Sequence, residues 1–277
     1  MNRRFVSDSS CDIFSMPGCD FISVPLHILT SEKDYADTPS LNVAQMVQEL
    51  NAYKGRTSTS CPNSSDWEAA FGSADEVFAI TITGALSGSC NAAQCAAAQY
   101  MQHHPGRRVH VIDSLSTGPE LVLILEKLRE LTEKGFDFEE TKTRITAYQQ
   151  QTHLVFVLSS VQNLAKNGRA SKLEAKAVGL LGIRIVGQAS PEGRLGVIDK
   201  CRGEDAGMLK AVLHMKKLGW AKGRVIITHC MNESGAKKLR ASLRELQPDI
   251  DIRILTTGGL CSFYAEEGGL LVGYEAF

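Results

Sequence analysis

The sequence lacks the short motifs that mark most nucleotide-binding, zinc and serine enzymes. It contains no Gly-Lys-Ser or Gly-Lys-Thr phosphate loop, no Gly-x-Gly-x-x-Gly turn and no His-Glu-x-x-His pair. The nucleophile elbow Gly-x-Ser-x-Gly is also absent, because Ala85 and Ser89 stand two residues to either side of Ser87. Because these motifs are absent, the sequence gives no support to an enzyme that binds nucleotides or zinc, and little to a serine hydrolase.

The chain also lacks a charge imbalance and long apolar runs. Its formal net charge is −1, which argues against nucleic acid or an acidic membrane surface as partner. No apolar run approaches the length of a membrane span, so stable membrane insertion is not expected. The first five residues lack the apolar segment typical of a signal peptide, and we expect a cytoplasmic protein.

The eight cysteines show neither a metal-binding nor a disulfide pattern. No two of them form a Cys-x-x-Cys pair, and no histidine stands beside one at the spacing of metal ligands. In a cytoplasmic protein such thiols are expected to be reduced and mostly buried. We therefore predict no metal site and no cofactor.

The chain is long enough for two domains. It has 277 residues, of which 43% are hydrophobic and 22% charged, as in ordinary globular proteins. Up to about residue 150, apolar runs alternate with helical patterns, which predicts a largely parallel α/β sheet. After that point, hairpin-like pairs of strands predict an α+β domain with a mixed or antiparallel sheet. We place the domains at residues 1–151 and 152–277.

Local signals mark the ends of several helices. Apolar spacing predicts a helix over 41–51, whereas the residues before it, from 26 to 40, show no regular pattern. The candidate N-terminal caps are Ser40, Ser65 with Asp66, and the capping-box pairs Asp137 with Glu140 and Ser171 with Glu174. The last of these pairs predicts a helix that runs to about residue 181.

The residues from 77 to 100 carry the most informative pattern. An apolar run over 77–82 predicts a buried strand, and the Ala- and Gln-rich residues 91–100 predict a helix. Between them lies the turn Leu86-Ser87-Gly88-Ser89. The first N–H groups of a helix lack partners and lie at the positive end of its dipole, so this turn is predicted to bind a carboxylate.

A second hydroxyl-rich segment, residues 57–63, includes Thr59 and Ser60 and is interpreted as a loop. Two hydroxyl-rich segments, each preceding a helix, are expected to contribute to one shared ligand-binding site. Isolated cations add a weaker signal, because Arg169 follows a glycine at a helix end and Arg202 lies just after a strand. Ser87 could also act as a nucleophile with His229 and an aspartate, although no spacing requires such a triad.

Taken together, the motifs resemble those of the DegV family, the bacterial fatty-acid-binding family, over almost the whole chain. The matching segments, in the order of the family, are Asp8-Ser9-Ser10-Cys11-Asp12, Val24-Pro25-Leu26, Thr59-Ser60-Cys61-Pro62, Leu86-Ser87-Gly88-Ser89, Val111-Ile112-Asp113-Ser114, Leu164-Ala165-Lys166-Asn167-Gly168-Arg169, Glu192-Gly193 and Lys200-Cys201-Arg202-Gly203. Each segment is short, but their joint order and spacing are specific.

The resemblance implies a two-domain α/β protein that encloses one long-chain fatty acid between its domains. It implies that Thr59, Ser60, Ser87 and Gly88 hold the carboxylate. It places Arg169 and Arg202 near the carboxylate or at a partner surface. It also implies a non-catalytic role, because such proteins resemble the subunit that presents the fatty acid to a separate ATP-dependent kinase.

One position departs from the family. Its members often end in Gly-x-His-x-Gly-Pro-Gly, whereas here residues 262–268 place Tyr264 where the histidine is expected. A neutral phenol can donate a hydrogen bond to a carboxylate, so Tyr264 is assigned to the site. The nearby Glu266 and Glu267 would repel an anionic head group if they faced it.

Two function classes follow from the sequence. The first is a carrier of fatty acid, with a kinase as its partner. The second is an enzyme that acts on a small acyl substrate through Ser87. Nothing in the sequence requires more than a monomer.

Overall fold

The computed structural model describes residues 2–170 and 182–277. Its strands are β1 (Arg3–Asp8), β2 (Asp20–Val24), β3 (His27–Leu29), β4 (Asp34–Ala36), β5 (Ser58–Ser60), β6 (Glu76–Thr81), β7 (Arg108–Asp113), β8 (Thr152–Leu158), β9 (Ile183–Ala189), β10 (Leu195–Arg202), β11 (Val225–His229), β12 (Ile252–Thr256) and β13 (Leu270–Glu275).

The helices of the described residues vary from short turns to about four turns in length. They are α1 (Val43–Ala52), α2 (Ser64–Phe71), α3 (Ser89–His103), α4 (Pro119–Glu133), α5 (Phe138–Gln149), α6 (Gln162–Lys166), α7 (Glu204–Lys217), α8 (Glu233–Leu246) and α9 (Gly259–Ala265), and a short 3-10 helix spans Ser9–Cys11. Within these ranges no helix is long and apolar enough to cross a membrane.

The N-terminal sheet has four strands in the order β2-β1-β6-β7. All three pairings are parallel, which confirms the predicted parallel α/β sheet. Strand β6 lies inside the sheet and is buried at every position. Its carboxyl end therefore delivers the Leu86–Ser89 turn to the edge of the sheet where ligands bind in this architecture.

The C-terminal sheet has six strands in the order β10-β9-β8-β13-β11-β12. Only the β11–β12 pairing is parallel, so the sheet is mixed, as predicted. The antiparallel pair of β9 and β10, joined around residues 190–194, is one of the hairpin-like pairs expected in this half. Alternate residues of β8 point to opposite faces of the sheet.

A small antiparallel sheet of order β4-β3-β5 corrects two expectations. Residues 26–40 are not irregular throughout, and the segment 57–63 is not simply a loop. Strand β5 pairs Thr59 with Ile28, and each strand of this sheet has three residues. Such short strands give no alternating pattern that a sequence could reveal.

One predicted helix cap is wrong, and a second is right only in part. Helix α1 is capped by the side chain of Asn42 rather than by Ser40. Helix α2 is capped by Asn63, which forms a capping box with Asp66. In both cases an asparagine competes successfully with nearby hydroxyls, since Asn is among the best N-caps. The Asp137–Glu140 box is confirmed, and the Ser171–Glu174 pair lies outside the described residues.

Helix α9 was not predicted from the sequence. Six of its seven residues are buried, so it has no polar face and no helical period in its hydropathy. It crosses from the C-terminal half toward β3 and the 3-10 helix of the N-terminal half. This helix brings Tyr264 to the site.

Helix α4 joins the two large sheets. Its residues 121–125 are five consecutive side chains with no exposed surface, as expected for a helix surrounded by protein. It shares one core with Phe78 and Ile80 of β6 and with Ile226 of β11. The six-stranded sheet begins at residue 152, but the packing of α4 continues across this point, and the domain boundary near residue 151 stays a prediction.

We predict that Leu123→Ala destabilises the protein by about 3 kcal/mol, because it leaves a cavity in a helix packed on all sides. Leu209→Ala is the matched control, since that side chain is 60% exposed and should change stability by less than about 0.5 kcal/mol. Urea unfolding measures both values. Equal losses in the two variants would contradict the central role of α4.

Candidate functional site

A cavity of about 260 Å³ lies between the two halves of the chain. Most of its wall is apolar. The apolar lining residues are Leu26, Ile82, Leu86, Leu154, Phe156, Leu158, Leu164, Leu195, Leu260, Ala265 and Leu271. The C-terminal sheet contributes Leu154, Phe156, Leu158, Leu195 and Leu271, whereas the N-terminal half contributes strand β5 and the segments that follow β2, β6 and β7. The cavity therefore exists only when the two halves are packed together.

The polar part of the wall contains six of the seven predicted site residues. They are Thr59, Ser60, Ser87, Gly88, Arg169 and Tyr264. Residues that are up to about 200 positions apart in sequence therefore meet at one place, as the hydroxyl-rich patterns led us to expect. The remaining polar lining groups, which sequence reasoning did not single out, are Cys61, Thr117 and Cys261.

Tyr264 is tied to the hydroxyl segment of β5. Its phenolic oxygen lies 2.8 Å from Oγ1 of Thr59, and either hydroxyl can be the donor. Burial raises the pKa of Tyr264, so the phenol stays protonated at neutral pH. One of these two hydroxyls consequently keeps a proton that it can donate to an anion in the cavity.

Arg169 is the only charged residue among those that line the cavity within the described ranges. Its Nε donates to the carbonyl oxygen of Leu86 at 3.2 Å, and its Nη1 donates to that of Asn167. These two bonds fix the guanidinium against the Leu86–Ser89 turn. A half-buried cation at the polar end of an apolar cavity favours a ligand with one negative charge.

The Leu86–Ser89 turn is held by a carboxylate that sequence reasoning missed as a positioning group. Asp8, at the end of β1, is buried and accepts hydrogen bonds from the N–H of Ile82 at 2.9 Å and from the hydroxyls of Ser89 and Ser10 at 2.6 and 2.5 Å. Burial raises the pKa of Asp8 to about 6. Asp8 thus fixes the start of α3 relative to β1 and β6.

The start of helix α9 is held in a similar way by the N-terminal half. Asp37 accepts hydrogen bonds from the N–H groups of Gly259 and Leu260 at 2.6 and 3.0 Å, and Asp12 accepts one from Gly258 at 2.8 Å. Desolvation raises the pKa of both carboxyls, that of Asp12 to about 7. The two carboxyls position the helix that carries Tyr264.

The surroundings of Ser87 give no support to a hydrolase. Its Oγ accepts a hydrogen bond from the N–H of Ser89 at 3.3 Å, and within the described residues it has no hydrogen bond to a histidine or carboxylate. His229, the imagined base, instead accepts from the N–H of Asn232 through Nδ1. Activation of a serine requires a base within hydrogen-bond reach.

Three charged residues considered from the sequence lie away from the cavity wall. Arg202 is exposed at the end of β10 and does not line the cavity. Glu266 accepts a hydrogen bond from the N–H of Asn163, and neither it nor Glu267 lines the cavity. No repulsion of an anionic head group by these two glutamates is therefore expected.

The cysteines and acidic residues do not form a metal site in the part of the chain that the structure describes. No group of three or more His, Cys, Asp or Glu side chains is suitably arranged there. All eight thiols are free, four of them buried, three half-buried and one exposed.

Comparison with known proteins identifies the family. The DegV family model matches residues 4–276. A DegV domain-containing protein of Streptococcus pneumoniae is 45% identical over 279 residues, with 99% of each chain covered. One from Streptococcus gordonii is 42% identical with the same coverage. The chain therefore belongs to the DegV family.

Two solved structures are similar over the whole fold. The fatty acid kinase (Fak) B3 protein of Streptococcus pneumoniae, loaded with linoleic acid, has a TM-score of 0.98 and 45% identity, with both chains fully covered. A DegV family protein from Eubacterium eligens, loaded with heptadecanoic acid, has a TM-score of 0.97 and 41% identity, covering 99% of this chain and 100% of that one.

We predict that Asp12→Asn raises the melting temperature by a few degrees at about pH 8 and leaves it unchanged at about pH 4. The folded-state pKa of Asp12 is raised from 3.8 to about 7, so its carboxyl costs stability as the pH rises between these values. Asparagine stays neutral, tolerates the left-handed φ of 60° and can still accept from Gly258.

Thermal unfolding across this pH range tests the prediction. Asp249→Asn, at an exposed position, is the control and should give parallel curves at all pH values. A higher melting temperature of Asp12→Asn at low pH, or no increase at high pH, would show that burial of the ionised Asp12 carboxylate does not lower the stability of the protein.

Proposed function

We propose that this protein binds one long-chain fatty acid, with its carboxylate at the polar end of the cavity and its acyl chain along the apolar wall. The observation that carries the proposal is the composition of that wall. It is largely apolar, and its only charged group among the described residues is the cation of Arg169. The ligand is thus expected to be apolar with a single anionic end.

The energetics of burial agree with such a ligand. Each buried methylene contributes about 0.8 kcal/mol, so a long acyl chain offers roughly 10 kcal/mol before the loss of translational and chain freedom. The head group need not add much affinity, but an unpaired buried charge would cost several kcal/mol. Hydroxyls of Thr59, Ser60 and Ser87 and the guanidinium of Arg169 remove that cost by donating to the carboxylate.

Similar proteins support the same assignment. The structures from Streptococcus pneumoniae and Eubacterium eligens are described as loaded with linoleic acid and with heptadecanoic acid. Their identities to this chain exceed 40%, and their folds match over its whole length. A non-catalytic carrier is therefore the function that best fits this chain.

The carrier presents its fatty acid to a separate kinase that phosphorylates the carboxylate with ATP. The name of the similar Streptococcus pneumoniae protein, a fatty acid kinase protein, supports this partnership. Tyr264 replaces the expected histidine but occupies the cavity wall and contacts Thr59. The exposed Arg202 is assigned to the surface that meets the kinase rather than to the carboxylate.

We expect native mass spectrometry and lipid extraction to find one long-chain fatty acid per chain. Ser87→Ala, Thr59→Val and Arg169→Gln should each weaken retention of that acid by about ten- to a hundredfold, since hydrogen bonds to a charged group contribute about 1.5–3 kcal/mol. Some affinity should remain, because the acyl chain still supplies most of the binding energy.

Arg202→Gln is the control and should retain fatty acid as the unmodified protein does. If the purified protein has the mass of the bare polypeptide and does not shift on addition of oleate or palmitate, the proposal fails. Covalent labelling of Ser87 by a fluorophosphonate would instead support the enzyme alternative.

The kinase partnership is tested with the loaded protein, a fatty acid kinase and ATP, in the presence of hydroxylamine. Hydroxylamine displaces phosphate from an acyl phosphate and gives an acyl hydroxamate that can be measured. We expect the product to depend on the carrier, and Arg202→Gln to slow its formation without lowering the lipid content. Retention of lipid with no hydroxamate would indicate a carrier without a kinase.

A further inference from the structure

Phe156 occupies the middle of the cavity wall. On strand β8, Leu154, Phe156 and Leu158 line the cavity, whereas Val155 and Val157 belong to the core on the opposite face of the sheet. Successive residues on one face of a strand lie about 7 Å apart. The ring therefore lies in the middle of a row of three cavity-lining side chains on β8, with Leu154 on one side and Leu158 on the other.

The strand next to Phe156 has no side chain at the position opposite the ring. Gly187 of β9 pairs directly with Phe156. A Cβ atom at Gly187 would lie 2.2 Å from Cζ and 2.3 Å from Cε2 of the ring. The aromatic ring thus lies over β9 in the space that any side chain at position 187 would need.

The backbone of Gly187 does not itself require glycine, because Gly187 is not among the residues with positive φ. Its neighbours on the same face of β9, Ile185 and Ala189, carry side chains. On the other flank of Phe156, strand β13 places Leu271, which also lines the cavity. With Leu271 on one side, the ring leaves the cavity open only by leaning over Gly187.

We infer that the pairing of Phe156 with Gly187 determines the length and shape of the acyl chain that the cavity accepts. While the ring lies over Gly187, the space above β8 stays open to the acyl chain. A side chain at position 187 would turn the ring into that space and shorten the cavity. This inference rests on the proposed binding of a fatty acid and names a specificity determinant within that site.

A side chain at position 187 would meet a second neighbour besides the ring of Phe156, so a substitution there could act in two ways. A Cβ there would also lie 2.6 Å from the carbonyl oxygen of Gly196 on β10. Gly187→Ala could therefore act through the ring or through a shift of β10. Only the first effect disappears when the ring is removed, so a double-mutant cycle distinguishes them.

The test compares the unmodified protein with Gly187→Ala, Phe156→Ala and the double variant. Affinities for laurate, myristate, palmitate and stearate are measured by displacement of a fluorescent fatty acid. We expect Gly187→Ala to spare laurate and to weaken stearate by about fourfold for each displaced methylene. Phe156→Ala should move the preference toward longer or more strongly bent chains, and the double variant should lose the shift toward short chains.

Val157→Ala is the matched control, because it truncates an adjacent core side chain on the opposite face of β8. It should alter stability without changing the order of preference among the four acids. A uniform loss across all chain lengths in Gly187→Ala, or a short-chain preference that persists in the double variant, would overturn the inference.

If Gly187→Ala does not fold, Phe156→Ala and Phe156→Leu decide the question alone. Both remove the ring while keeping Gly187, and an unchanged chain-length preference in both would refute the role of the ring. Failure of the proposed function has a different signature, since the unmodified protein would then bind none of the four acids.

Discussion

The burial of helix α4 between the two large sheets is the constraint on which the rest of the structure depends. Its N-terminus approaches β13 so closely that a Cβ at Gly273 would lie 2.6 Å from the backbone nitrogen of Glu120. Near its other end, Arg224 before β11 donates to Glu130 of α4 at 2.5 Å and to Glu275 of β13 at 2.8 Å. The helix is thus fixed at both ends to the C-terminal sheet, and it shares one core with Phe78 and Ile80 of the N-terminal sheet, so little sliding between the sheets is possible. The cavity wall combines the C-terminal sheet with segments of the N-terminal half that follow β2, β6 and β7, so its shape depends on the placement of α4.

Buried carboxylates then set the finer geometry of the site. Asp8 orders the turn after β6, and Asp37 with Asp12 orders the start of helix α9. Each accepts from backbone N–H groups that would otherwise be unpaired, which offsets part of the cost of taking a carboxylate out of water. The groups that face the ligand can therefore remain neutral hydroxyls and one cation, while the acidic groups that position them lie behind the cavity wall.

The sequence predicted those parts whose signals are local. The apolar run of β6 and the Ala-rich helix α3 could be located because burial and helix propensity act on consecutive residues. Strand β5 could not, because Ser58, Thr59 and Ser60 are polar and the strand is held by pairing with β3. The roles of the positioning carboxylates were also inaccessible, since the partners of Asp37 are about 220 residues away in the chain. Most hydroxyls of the site could be predicted from the sequence, but the carboxylates that position them could not.

The position of β13 has a consequence for biosynthesis. This strand is the last of the six to be made, yet it lies between β8 and β11, which precede it in the chain. On the ribosome, the C-terminal sheet therefore exists as two separate parts with open, apolar edges until residue 275 has been made. Helix α4 has no completed second sheet to pack against until then, and the cavity cannot close earlier. A nascent chain is thus exposed to aggregation at these two edges until β13 has been made, and the cavity wall stays incomplete without Leu271 of that strand.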